Sequence, residues 1–167
     1  MPTLIKDGQV ASNDWQRVDM ASGLDNVTGA ETAERIIVPL AMWVAEKESL
    51  LESGKQVGVC LESEDDPYEL EGDVDHLPLI CLYFPVFRDG RLFSTAAILR
   101  KRLGFKGELS ASGDFMRDQM FYLSQCGIDS FMLDDAIKVD EALSALSDFS
   151  TNYQSTIAKP EPLFRRR

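Results

Sequence analysis

The segment FPVFRDGRLFS, residues 84–94, carries Arg88 and Arg91 around Asp89 and Gly90, with Ser94 as an N-cap residue at a predicted helix start. Guanidinium groups form forked hydrogen bonds to oxyanions, and a helix N-terminus adds unpaired N–H groups. Together these types point to binding of a phosphate, a carboxylate or a sulfur oxyanion. The competing reading is structural: Arg88 and Arg91 pair with local acids such as Asp89 and cap a surface turn. A second segment, SGDFMRDQ at residues 112–119, follows the same logic. Ser112 ends a strand, Asp114 reads as the N-cap, and Asp118 in the first turn suits the helix dipole. Arg117 opposes that dipole, so it is expected to reach towards Asp89 or a bound anion, or to bridge the two segments. These eight residues, Arg88, Asp89, Arg91, Ser94, Ser112, Asp114, Arg117 and Asp118, are the candidate anion- or partner-binding set. Asp134-Asp135 mark a further place of the same kind.

Other chemistries lack their residues. Residues 62–75, ESEDDPYELEGDVD, hold eight acids in fourteen positions but not the spacing of a calcium loop. A solvated loop, or a patch that docks a basic partner, is the expectation. His76 is the only histidine, which excludes a histidine-based triad or a multi-histidine metal site. The chain has neither a glycine-rich dinucleotide fingerprint nor a phosphate-binding loop, and it lacks the nucleophile-elbow signature. The three cysteines, Cys60, Cys81 and Cys126, show no metal or redox spacing. They read as buried reduced thiols, with Cys126 the most accessible if one is redox-active. No catalytic residue can be assigned, and no flavin, haem or iron–sulfur signature is present.

The candidate residues need a scaffold that brings two loops together. Val57–Leu61 and residues 77–84 are short apolar runs without polar alternation, the pattern of strands covered on both faces; residues 108–112 read as a short strand of weaker hydrophobicity and residues 130–133 as the next strand. Helical periodicity separates them at residues 94–103 and 114–126, and a further helix follows at residues 138–149. Such alternation predicts right-handed βαβ units and about four mostly parallel strands. Either a half-barrel or an open three-layer sandwich fits. In both, sites form at the C-terminal ends of the strands, where both arginine-bearing segments fall. Ahead of this core, Leu4-Ile5 and Gln9-Val10 around Asp7-Gly8 predict a small hairpin, and DWQRVD another short strand. Residues 19–34 read as a loop. The run from Ile36 through LAMWVAEKESLLESG reads as a helix, with Pro39 in its first turn. The expected organisation is one α/β domain over residues 1–154, with the small β element at 1–20, the βα core at 36–154, and a tail at 155–167.

Charge narrows the partners. Residues 1–80 carry 5 basic and 17 acidic residues, and residues 81–167 carry 12 and 11. An acidic balance repels phosphate backbones, so nucleic acid is not an expected partner, and Arg165-Arg166-Arg167 does not reverse this. The opening residues lack a signal-peptide profile, and no apolar run is long enough to span a bilayer. A cytoplasmic protein without membrane contact is expected.

The string FPVFRDGRLFSTAAILRKRLGFKGELSASGDFMRDQMFYLSQCGIDSF, followed by ALSALSDFSTNYQ, resembles the bacterial family known as domain of unknown function 934. IKDG, Asp14-Trp15 and IVPLAMW extend the resemblance over about residues 3–154. Recurrent residues of that family fall on Arg88, Asp89, Gly90, Arg91, Ser94, Arg100, Gly107, Glu108, Gly113, Asp114, Arg117, Asp118 and Gln119. The resemblance also implies an arginine after Leu109, where this chain has Ser110, which weakens an anion site built on that charge. Members are commonly encoded beside sulfite reductase. The resemblance therefore implies an accessory role in assimilatory sulfite reduction and cysteine biosynthesis, by docking to the reductase or its electron donor. A small-oxyanion binder or an enzyme using the arginine loops is the alternative.

Overall fold

The computed structural model describes residues 3–29, 33–133, 137–147, 156–161 and 165. Two short strands, β1 (Thr3–Lys6) and β2 (Gln9–Ala11), pair antiparallel around Asp7-Gly8. Both turn residues have positive φ, 51° and 75°, as a tight hairpin turn requires. Then come β3 (Gln16–Arg17), α1 (Leu24–Thr28), β4 (Arg35–Pro39), α2 (Leu40–Glu52) and β5 (Gln56–Leu61). The chain continues through β6 (Leu79–Phe84), α3 (Arg91–Lys101), β7 (Glu108–Gly113), α4 (Arg117–Gln125), β8 (Ser130–Leu133) and α5 (Val139–Ser147).

Among the described residues, all eight strands join one sheet in the order β2-β1-β8-β7-β6-β5-β4-β3. From β3 to β8 the spatial order follows the sequence without reversal, and every pair is parallel. Right-handed crossovers made always in one direction place their helices on one face, so the sheet curls around its other face. This is the half-barrel. The three-layer sandwich needs a reversal of winding that the strand order lacks.

The count of about four strands is too low, and the reason is local. Ile36-Ile37-Val38 reads as the lead-in to a helix, yet three β-branched residues ahead of a proline favour extended backbone. They form β4, and Pro39, at φ −60° and ψ 151°, caps the following helix from outside. The polar stretch 19–34 also carries structure: α1 within it buries Val27, 1% exposed. Part of the expected tail is anchored too, since Ile157 N–H donates to the Gln125 carbonyl at 3.1 Å. Asp134-Asp135 lie outside the described residues.

The two faces of the sheet are filled differently. Towards the helices, Val59, Leu61, Ile80, Leu82, Phe84, Leu109 and Phe131 pack with Trp43, Leu50, Leu92 and Leu99 in one large core. The concave face holds a smaller cluster of Ile37, Cys60, Leu79 and Cys81, flanked by Trp15, Tyr83 and Met132. The N-terminal end of the sheet is locked by Arg100 from the last turn of α3. Its guanidinium donates to the carbonyls of Phe105 and Gly107, each at 2.9 Å, to that of Gly127 at 2.9 and 3.1 Å, and to Asp129 at 2.6 Å. Asp129 in turn accepts the Leu109 N–H at 3.0 Å. Among the described residues no helix is long and apolar enough to cross a membrane.

Candidate functional site

Strands β6 and β7 are parallel neighbours in register to their last residues, Phe84 opposite Gly113, so their following loops leave the sheet side by side. Gly113 makes this possible. Its φ is +95°, and a Cβ there would stand 2.3 Å from the Phe84 carbonyl oxygen. The approach lets the Asp114 N–H donate to that oxygen at 2.8 Å. Further out, the Asp114 carboxylate accepts the Phe87 N–H at 3.4 Å. Gln119 completes the brace, donating to the Phe87 carbonyl at 2.8 Å while accepting the Met116 N–H at 2.9 Å.

This brace holds apolar side chains outward. Val86 is 52% exposed, Phe87 36% and Met116 48%, all at the C-terminal rim of the sheet. The Arg88 guanidinium lies 5.4 Å from the centroid of the Phe87 ring, a cation–π contact at an exposed site.

Arg91 is committed to carboxylates. It donates to both oxygens of Asp89, at 2.7–3.2 Å, and to Glu64 at 2.8 Å, tying the β6–α3 loop to the acidic segment. Asp89 also accepts the Arg91 backbone N–H at 3.1 Å. The Arg91 side chain and then its N–H hold the Asp89 carboxyl well below the usual carboxylate range, and Asp89 and Glu64 hold the guanidinium proton correspondingly tightly. Asp89 thus does the capping work expected of Ser94. The helix starts at Arg91, after Gly90, and Ser94 sits exposed inside its first turn.

The second segment is rearranged in the same way. Met116, not Asp114, precedes α4, because Asp114 faces the neighbouring loop instead. Arg117 does not reach Asp89. Its guanidinium turns to α5, donating to the Glu141 carbonyl at 3.1 Å, and lies 3.4 Å from Asp118. Ser112 belongs to neither loop, since its hydroxyl lies on the concave face, 3.1 Å from the Cys81 sulfur. The structure therefore joins Asp89, Arg91 and Asp114 with exposed Arg88 in one rim, and separates Arg117 and Ser112 from it.

The acidic segment beside this rim is ordered. Two 3-10 turns, Pro67–Leu70 and Val74–His76, bury Leu70 and Val74. Asp73 accepts the Trp43 indole N–H at 3.0 Å and pairs with Lys47. Glu62, Glu64, Asp66, Glu69, Glu71 and Asp75 remain exposed, as does Tyr68 at 47%. Among the described residues no group of three or more His, Cys, Asp or Glu is placed to hold a metal ion.

Sequence reasoning missed the concave face. Cys60 and Cys81 are register partners on β5 and β6, and Arg17 lies over the Tyr83 ring at 4.2 Å while pairing with Glu62 at 3.4 Å. The available signal is the matching position of cysteine in VGVCL and LICLY. A cavity of about 300 Å3 opens there, lined by Arg17, Met20, Leu40, Cys60, Glu62 and Asp65. A larger one, about 670 Å3, lies at the opposite end of the strands around Arg100, Gly127 and Asp129, whose polar groups already bond one another.

The rim and its brace fall in the part of the chain that a known family covers: the family described as "Bacterial protein of unknown function (DUF934)" matches residues 58–164. The chain belongs to that family. The match begins within β5 and includes the acidic segment, both rim loops and the Arg100 lock, while β1–β4 precede it. No curated protein matches the chain. Several residues that carried the resemblance have separate physical roles here: Arg100 locks the base, Gly113 permits the close approach to Phe84, and Asp89, Asp114 and Gln119 shape the rim.

Proposed function

We propose that this protein is an accessory docking protein of assimilatory sulfite reduction, engaging a basic surface of sulfite reductase or of its electron donor through the C-terminal rim. The observation that carries the docking mode is the rim itself: Val86, Phe87 and Met116 held outward by the Gln119 and Asp114 brace. Exposed apolar side chains on a rigid frame are the usual anchors of an interface, and a polar border excludes water around them. On one side the border is the acidic segment, joined to the rim by the Arg91–Glu64 pair. Its exposed carboxylates select for a basic partner and speed encounter. The pathway is taken from the family resemblance, and action in the cytoplasm beside the partner is part of the proposal.

An oxyanion at Arg91 would have to displace both Asp89 and Glu64 from the guanidinium. This favours docking over small-anion binding.

The test is binding of purified sulfite reductase, and separately of its electron donor, to the intact protein at rising ionic strength. One of them should bind at low salt and weaken as salt rises, and each of Phe87→Ala and Met116→Ala should cost about 1–2 kcal/mol, roughly tenfold in Kd. Absence of binding to both at low salt contradicts the proposal.

A further inference from the structure

Across the concave face, register pairing sets Cys60 beside Cys81, Cys81 beside Ser110 and Ser110 beside Ser130. All four are 2% exposed or less. Barrel-type interiors are ordinarily filled by branched apolar side chains, so a layer of small polar groups here needs another reason. Packing does not explain two of its features. The Ser110 hydroxyl is fully buried and has no hydrogen-bond partner, an arrangement that costs stability. The Ser112 hydroxyl lies 3.1 Å from the Cys81 sulfur, and Cys60, the register partner of Cys81, packs in the same small cluster. The cavity between Arg17, Leu40 and Glu62 opens onto Cys60.

From this geometry we infer that Cys60 and Cys81 form a reversible dithiol–disulfide pair, exchanging through the cavity with a low-molecular-weight disulfide. Register partners on parallel strands stand about 4.8 Å apart, inside the roughly 4.4–6.8 Å that a disulfide spans between α-carbons. Both side chains project from the same face. The surroundings favour an anionic sulfur as well. The Cys60 S–H, then the Ser112 hydroxyl and the Arg17 charge, draw the Cys81 thiol below its ordinary pKa against the effect of burial, and Cys60 keeps the shared proton.

The exchange balances as follows. Two thiols first lose one proton to water; the proton left between them moves from Cys60 to Cys81 as the Cys60 sulfur attacks one sulfur of R–S–S–R, giving a mixed disulfide and a thiolate that takes up a proton from water. Cys81 then gives up its proton, and its sulfur attacks that of Cys60 and expels the second thiolate. The two cysteines lose two electrons and two protons, and the small disulfide becomes two thiols.

The experiment incubates the full chain in glutathione buffers of increasing oxidised fraction, quenches in acid, denatures, alkylates and maps peptides by mass spectrometry. Cys60 and Cys81 should lose alkylation together and appear as one linked peptide, reversed by reduced glutathione, while Cys126 stays alkylated. Cys81→Ser should instead trap glutathione on Cys60. If both residues remain fully alkylated in oxidised glutathione while circular dichroism shows a folded chain, or if oxidation joins Cys126 or two molecules instead, the inference is overturned.

Discussion

One helix carries two arginines with opposite lives. Arg100, at the C-terminal end of α3, has its side chain 12% exposed and donates to three backbone carbonyls and one carboxylate. Arg91, at the other end, is 56% exposed and held by two carboxylates from flexible-length side chains. The first sits where βα loops enter the strands, the second where they leave. In parallel βα architectures the entry side carries stability and the exit side carries function. The same residue type is a bolt in one place and a surface fitting in the other, and only the acceptors tell them apart.

That contrast can be broken from its stable end first. Arg100→Ala should destabilise the fold by about 3–5 kcal/mol in urea unfolding, because it orphans Asp129 and several inward carbonyls together. Arg100→Lys should recover less than half of that loss, since an ammonium cannot replace a planar fork serving four groups. A loss under about 1 kcal/mol for Arg100→Ala would remove the distinction between the two ends.

At the exit end, Phe87→Ala with Met116→Ala should weaken partner binding roughly a hundredfold and leave stability nearly unchanged, because both side chains stand at the exposed rim and not in the core. Calorimetry of the variant beside its binding curve checks both halves of that statement. Arg91→Ala should have a small effect on stability at neutral pH, as exposed ion pairs do. Its signature is the acid limb. Asp89 is held below its ordinary pKa by Arg91, so its contribution is full above about pH 4 and fades as pH falls towards the lowered value. Urea melts at neutral and acidic pH should therefore show a shallower acid loss in the variant than in the parent. Ser94→Ala, exposed inside the first turn of α3, should change stability by no more than about 0.5 kcal/mol.

The sequence made the central strands legible because β5 and β6 hold short apolar runs, and all of β5 to β8 are bounded by glycine, polar loops or helical periodicity. It concealed β4 because IIVP runs directly into a helix, and composition alone does not mark where extended backbone ends. Half-barrel closure depends on the order in which strands pair, a long-range property that no local window contains. At the site, the Asp89–Arg91 pair is two residues long and readable as local capping. The other partners lie far away in sequence: Arg91 with Glu64, Arg117 with the Glu141 carbonyl, and Cys81 with Cys60 and Ser112. Residue types marked the arginines as partners for oxygen acceptors, and the fold decided which acceptors they touch.

The most direct test of the rim as a docking surface is the affinity of purified sulfite reductase and of its electron donor for the parent protein and for the Phe87→Ala, Met116→Ala double variant, at low and at high ionic strength. The account predicts that the parent binds one of these proteins at low salt, weakens at high salt, and loses most of its affinity in the double variant although the variant unfolds at the parent's temperature. Equal affinity of parent and variant, or binding indifferent to salt, would contradict it.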